Sequence, residues 1–168
     1  MHALYLVSVW FHILAALVWI GGMVFLALIL IPVIREPEHR GLAVSLIHRT
    51  GVRFRVVGWA CLGLLIVTGT FNVTYRGFGW TDAVSGRLWQ GIFGRILALK
   101  LGLVVAILLL SAVHDLFIGP RATVLLRANP SSPEAMRFRR GASWIGRITL
   151  LLALTVVALG VMLIRGGL

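Results

Sequence analysis

From Leu4 to Ile31 the chain carries no formally charged side chain and a single one that can take up a proton near neutral pH, His12. A run of that length exceeds the about 20 apolar residues that cross the hydrocarbon core of a bilayer. In hydrocarbon the backbone must satisfy its own hydrogen bonds, which leaves a helix or a closed barrel. No Lys or Arg precedes the run, it is far longer than the apolar part of a signal peptide, and no Ala-x-Ala site follows. It is therefore expected to remain in the mature protein.

The rest of the sequence repeats the pattern. Mean hydropathy is +1.00 and hydrophobic residues make up 60% of the chain, too apolar for a water-soluble domain. Apolar segments fall at about 4–31, 56–75, 92–118 and 143–164, the first ending at Pro32, which cannot continue a helical ladder. The expectation is an all-α, four-helix transmembrane bundle forming one domain over residues 1–168. Pro37 and Gly51 bracket a short surface helix between the first two spans, containing Leu42, Leu46 and Ile47.

Sixteen basic against five acidic residues give a net charge of +11. The arginines cluster at segment ends beside apolar runs, so lipid headgroups rather than nucleic acid are the expected partner. One connection carries Arg35, Arg40, Arg49, Arg53 and Arg55. Another carries Arg121, Arg127, Arg137, Arg139, Arg140 and Arg147, broken by Asn129-Pro130-Ser131-Ser132-Pro133. The other side has only Arg76, Arg87, Arg95 and Arg165. The positive-inside rule makes the arginine-rich connections cytoplasmic and puts both termini outside. Trp80, Trp89, Phe78 and Tyr75 on one side and Trp144 on the other are interfacial anchors.

Polar residues inside the spans carry the functional question, since burying them in a bilayer is costly. Ser8, His12, Ala15, Ala16, Trp19 and Met23 share one face of the first helix, and small residues beside an imidazole allow close helix packing or room for a flat cofactor. Lys100, Val104, Ile107, Ser111 and His114 form one stripe of the third helix. Lys100 shares the depth of His12 and could balance a ligand carboxylate such as a haem propionate, or snorkel to the surface. His114 lies roughly 20 Å away along the axis. Asp115 is expected to pair with Arg147. Met23, Met162 and Cys61 are soft donors suited to Cu(I), although packing is their commoner role. His48 falls on the polar side of the surface helix, with a His48/His114 cofactor pair as an alternative. The lone Cys61 excludes an internal disulfide. No Ser/His/Asp grouping and no Gly-rich phosphate loop supports hydrolase or nucleotide chemistry.

Three elements together resemble the CopD family of bacterial inner-membrane copper-resistance proteins. They are Trp10-Phe11-His12 through Trp19-Ile20-Gly21-Gly22, then Leu65-Ile66-Val67-Thr68-Gly69-Thr70, then Gly94-Arg95 through Leu99-Lys100-Leu101. That resemblance implies copper handling in the bacterial cytoplasmic membrane, with a copper ion held at a site around His12. A more distant likeness is to the HemJ-type protoporphyrinogen oxidases, in which a first-helix histidine and a third-helix lysine matter and haem b is bound. Ile96 and Ile92 stand where those proteins carry an arginine and a tryptophan. Three readings follow: a copper-handling protein with ligands from His12 and His114, a b-type haem protein, or a non-catalytic subunit of a homo-oligomer or larger membrane complex.

Overall fold

The computed structural model describes residues 2–34, 36–129 and 132–164, and within them the side chains of 40–44 and 127 are not described. Arg35, Pro130, Ser131 and Arg165, used above to read connections and sidedness, lie outside the described residues, as do the side chains of Arg40, Leu42 and Arg127. Four helices are long and apolar enough to cross a membrane: His2–Ile34, Ser45–Tyr75, Gly91–Leu126 and Pro133–Ile164. The described residues contain no strand, and the chain is a multi-pass, all-α membrane protein.

We number the helices α1 (His2–Ile34), α2 (Arg40–Tyr75), α3 (Trp80–Val84), α4 (Gly91–Val113), α5 (Gly119–Ala128) and α6 (Pro133–Ile164). Three boundaries differ from the sequence expectation. Helix α1 does not stop at Pro32. A π turn at Leu26–Leu30 closes with the Ile31 N–H donating to the Leu26 carbonyl, one residue further back than in an α-helix. The widened turn relieves the clash between a proline ring and the preceding carbonyls, so the helix passes through. The same device recurs at His114–Ile118, where Gly119 N–H bonds the His114 carbonyl just before Pro120 and joins α4 to α5. The segment between Pro37 and Gly51, expected as a separate surface helix, instead runs from Arg40 unbroken into the second span, because neither Gly51 nor any proline interrupts the ladder there. The last helix likewise begins at Pro133, ten residues before the apolar segment, with proline as its first residue.

Helix α1 packs along α2, and α4 along α6; these two pairs touch each other more sparsely, chiefly where α1 meets α6. Four of the buried apolar residues are alanines, Ala15, Ala122, Ala135 and Ala153, which let backbones approach where lipid offers no hydrophobic drive for association. At mid-depth Trp19, Leu62, Ile107 and Ala153 form the core. Leu17, Leu28, Val56, Val67, Val105, Leu109 and Leu151 point outward, as a lipid-facing surface requires.

Between α2 and α4 the chain turns at Gly77 (φ 88°), whose left-handed backbone ends α2, with the Gly77 N–H on the Thr74 carbonyl at 2.9 Å. The Asp82 carboxylate accepts from the Gly79 N–H at 2.8 Å and meets Arg87 at 3.5 Å, fixing α3. Gly94 packs so closely on the Leu88–Trp89 backbone that a Cβ there would overlap it. Gly94→Ala should therefore lower the thermal unfolding midpoint in detergent by an amount corresponding to ~1–3 kcal/mol. Gly102→Ala, which meets nothing within 4 Å, should be neutral or stabilising by up to about 1 kcal/mol; circular dichroism melts of the two variants check both signs.

Candidate functional site

On the inward face of α1, His12 is half-buried and turned toward α2. Its Nδ1 lies 2.8 Å from the Thr68 hydroxyl. That hydroxyl has one proton, and it donates it to the Leu64 carbonyl at 2.6 Å, the usual back-bond of a helical threonine. The Thr68 oxygen must then accept from His12. That arrangement is met by the Nδ1–H tautomer, in which Nε2 carries the ring's lone pair. The Leu65 carbonyl lies within reach of the ring and of the Thr68 hydroxyl, 3.4 Å from the latter. Gly69, one residue beyond Thr68, leaves room for the imidazole: a Cβ there would stand 3.4 Å from His12 Cε1. Ser8, a turn earlier on α1, donates weakly to the Thr68 carbonyl at 3.5 Å.

Across the seam between the helix pairs, Lys100 sits on the inward stripe of α4, where Val104, Ile107 and Ser111 are also withdrawn from the surface while Leu101, Val105 and Leu109 face out. Its ammonium approaches α6 at Gly160, where a Cβ would lie 3.5 Å from Nζ. It is close enough to His12 and to Arg76 for charge to be felt between them. Arg76 in turn stacks over the Phe93 ring at 5.4 Å. Among the described residues the ion pairs are Arg87–Asp82 and His114–Asp115, so no carboxylate meets Lys100. Asn72, one turn from Thr68, has a buried side-chain oxygen without a partner among the described residues.

At the other end of the spans the expected Asp115–Arg147 pair is not formed. Asp115 accepts from Trp59 Nε1 at 3.0 Å through one oxygen and from His114 Nδ1 at 2.9 Å through the other. Arg147 lies over the Trp144 ring at 5.5 Å instead. Asp115 is satisfied instead by these two donors, and Arg147 by an aromatic face on its own helix. Met23 and Cys61 pack against the mid-depth core. Met162 and His48 are half-buried, and no hydrogen bond or ion pair joins either to His12 or His114 among the described residues. Nowhere among the described residues do three His, Cys, Asp or Glu side chains converge as metal ligands.

Sequence reasoning located His12, Lys100 and His114 but not their anchors. Thr68 carried a signal, lying on the stripe with Cys61, Leu65 and Asn72. Trp59 carried none, because its partner is 56 residues away.

The family model described as a domain of unknown function, DUF4149, matches residues 14–131. An uncharacterized protein of Aquifex aeolicus (strain VF5) is 33% identical over 152 residues, covering 89% of this chain and 88% of the relative. No solved structure matches. The CopD resemblance is corrected by this family match, and the HemJ likeness finds no support in it. The motifs behind both have packing roles here: Gly22 faces the Phe54 ring, Gly69 faces His12 and Gly94 faces the turn before α4. Small residues and aromatics at such spacings recur wherever membrane helices approach closely.

The geometry around Asp115 generates a double-mutant test. Asp115→Asn and Trp59→Phe should each destabilise the bundle by about 1–3 kcal/mol and couple, the double variant losing less than the sum. Asp115→Ala and Arg147→Ala should add within about 0.5 kcal/mol. Unfolding midpoints of the variants in one detergent decide between the two partners.

Proposed function

We propose, from the premise that the chain belongs to the DUF4149 family of unknown function, that it is a b-type haem protein of the bacterial cytoplasmic membrane working in electron transfer, with His12 Nε2 as axial ligand. The observation that carries this reading is the way the ring is held: the Thr68 hydroxyl, donating to Leu64, accepts a hydrogen bond from Nδ1–H, which leaves the lone pair on Nε2. Metal-bound histidines generally donate their second ring N–H in this way, which sets both orientation and basicity.

Haem rather than a bare copper ion is favoured by the surrounding chemistry. A haem supplies four ring nitrogens of its own and asks the protein for one or two axial donors, whereas Cu(I) wants several soft side chains. Here Met23 and Cys61 are occupied with core packing. Lys100, lacking a carboxylate partner among the described residues, would repel a bare cation but neutralise a propionate. Ala15, Ala16, Gly69 and Gly160 are the small residues along the faces where a flat group would lie, beside the sparse seam between helix pairs. His12 and Lys100 are the residues that would hold the group, which when bound supplies one-electron chemistry. Their own part is to orient one nitrogen, to offer one cation and to exclude water.

Absorption spectra of the detergent-purified protein test this. The oxidised form should show a Soret band and the reduced form sharp visible bands. His12→Ala should lose most of the haem while remaining monodisperse. Lys100→Met should keep a haem with a shifted midpoint potential or reduced occupancy, and His48→Ala should match the wild type. A colourless protein carrying copper overturns the reading.

The arginine bias supports termini on the periplasmic side. In a Cys61→Ser background, an impermeant maleimide applied to intact cells should label Ser85→Cys and spare Ser132→Cys. Equal labelling of the two reverses or refutes the orientation.

A further inference from the structure

The part of α6 that precedes its apolar segment closes a recess against the end of the third span. The recess is open, holds about 480 Å³, and is lined by Ile118 together with Glu134, Arg137, Phe138 and Gly141 of α6. Glu134 and Arg137 stand one turn apart on the same helix, and both border this space, yet they do not pair with each other. The ion pairs among the described residues are Arg87–Asp82 and His114–Asp115. Nor is Glu134 engaged in capping α6, because Ser132 does that work, its hydroxyl oxygen accepting from the Ala135 N–H at 3.1 Å. Arg121 of α5 lies over the Phe138 ring at 5.8 Å, which brings a second guanidinium beside the same aromatic wall. One recess therefore offers a carboxylate and a guanidinium, both exposed and both without an ion-pair partner among the described residues.

The position of the recess along the spans says what could fill it. Arg137, Arg139 and Arg140 are exposed just ahead of the apolar segment of α6, and Trp144 follows at 56% exposure. On the other wall Leu116 and Phe117, immediately before Ile118, are 64% and 66% exposed, an apolar surface of the kind that lipid chains cover. A space between a basic row and such a surface lies at the level of phospholipid headgroups. Guanidinium groups bind phosphate oxygens, in a bidentate manner where geometry allows. A carboxylate accepts hydrogen bonds from a primary ammonium, which has three N–H groups to give. The quaternary ammonium of a choline headgroup has none, and a glycerol headgroup would set an uncompensated negative charge next to Glu134.

We propose that this recess is a binding site for an ethanolamine phospholipid. Arg137 takes the phosphate with Arg121 beside it, Glu134 takes the ammonium, and the acyl chains run along Ile118 and Phe117. The site is distinct from the one around His12 and does not rest on the haem reading.

Native mass spectrometry of the full-length protein, stripped of lipid in detergent and titrated with ethanolamine, choline and glycerol phospholipids of identical acyl chains, tests it. The wild type should bind the ethanolamine lipid about two- to tenfold more tightly than the choline lipid, the range for exposed charge-assisted contacts. Glu134→Gln should remove that preference while leaving the choline lipid's affinity unchanged. Arg137→Gln should weaken both lipids. Arg140→Gln, outside the recess, should keep the preference, which separates the site from the general attraction of a basic surface. Equal binding of the ethanolamine and choline lipids by the wild type overturns the proposal, and so does a preference that survives Glu134→Gln. A wild type that favours the glycerol lipid, with Glu134→Gln strengthening it further, makes the recess an anionic-lipid site and also overturns it. Displacement of the ethanolamine lipid by an equal concentration of soluble phosphoethanolamine overturns the assignment to a lipid.

Discussion

Every buried backbone N–H in a bilayer must find its acceptor within the protein, and the helical ladders of two spans are interrupted by prolines, Pro32 and Pro120, that have no N–H to offer. The structure meets that constraint twice with one device. At Leu26–Leu30 before Pro32, and at His114–Ile118 before Pro120, the helix widens by one residue per turn and continues. Without the first π turn α1 would end at the proline and Ile34, 3% exposed, would not reach its buried position. Without the second, α4 and α5 would not be joined as one 36-residue apolar span. At the same end Asp115 meets Trp59 on α2, while Arg147 on α6 lies over Trp144.

Span number, the inward stripes and the polar residues worth attention were legible in the sequence, because membrane crossing is written in composition and the helical period in spacing. Ser8, His12, Ala15, Ala16 and Trp19 lie on one face and are all drawn inward. Proline was misread as a stop, since periodicity alone cannot distinguish a terminated helix from one that widens. The surface helix was misread in a related way: Gly51 reads as its end, where the backbone has no break. Cross-helix partners were the least legible part. Thr68 could be suspected as an isolated polar residue on an apolar stripe, but nothing local says that residue 59 meets residue 115.

The family likeness failed for a related reason. His-x(6)-Trp-x-Gly-Gly and Gly-Arg-x-Leu-x-x-Lys combine residues that membrane packing selects on its own account. Gly22 makes room for Phe54, Trp19 belongs to the core, and Gly94 lies against the backbone of Leu88 and Trp89. Once those roles are assigned, the residues left without a packing explanation are few: His12, Lys100, Asn72 and His114.

Those residues are divided by depth, and the division follows from energetics. Thr68 and Asp115 each hold a histidine by Nδ1, so each imidazole is partly compensated for leaving water. Lys100 has no such compensation from a carboxylate among the described residues, and Asn72 has an oxygen in the same condition. Polar groups at that depth persist only when something offsets their burial. Packing offsets it for none of them, because the core of Trp19, Leu62, Ile107 and Ala153 lies deeper, toward mid-membrane. The His12 end therefore combines an ammonium without a carboxylate partner, a side-chain oxygen without a partner and an imidazole held through Nδ1, and the first two are the polar groups whose burial is least offset among the described residues.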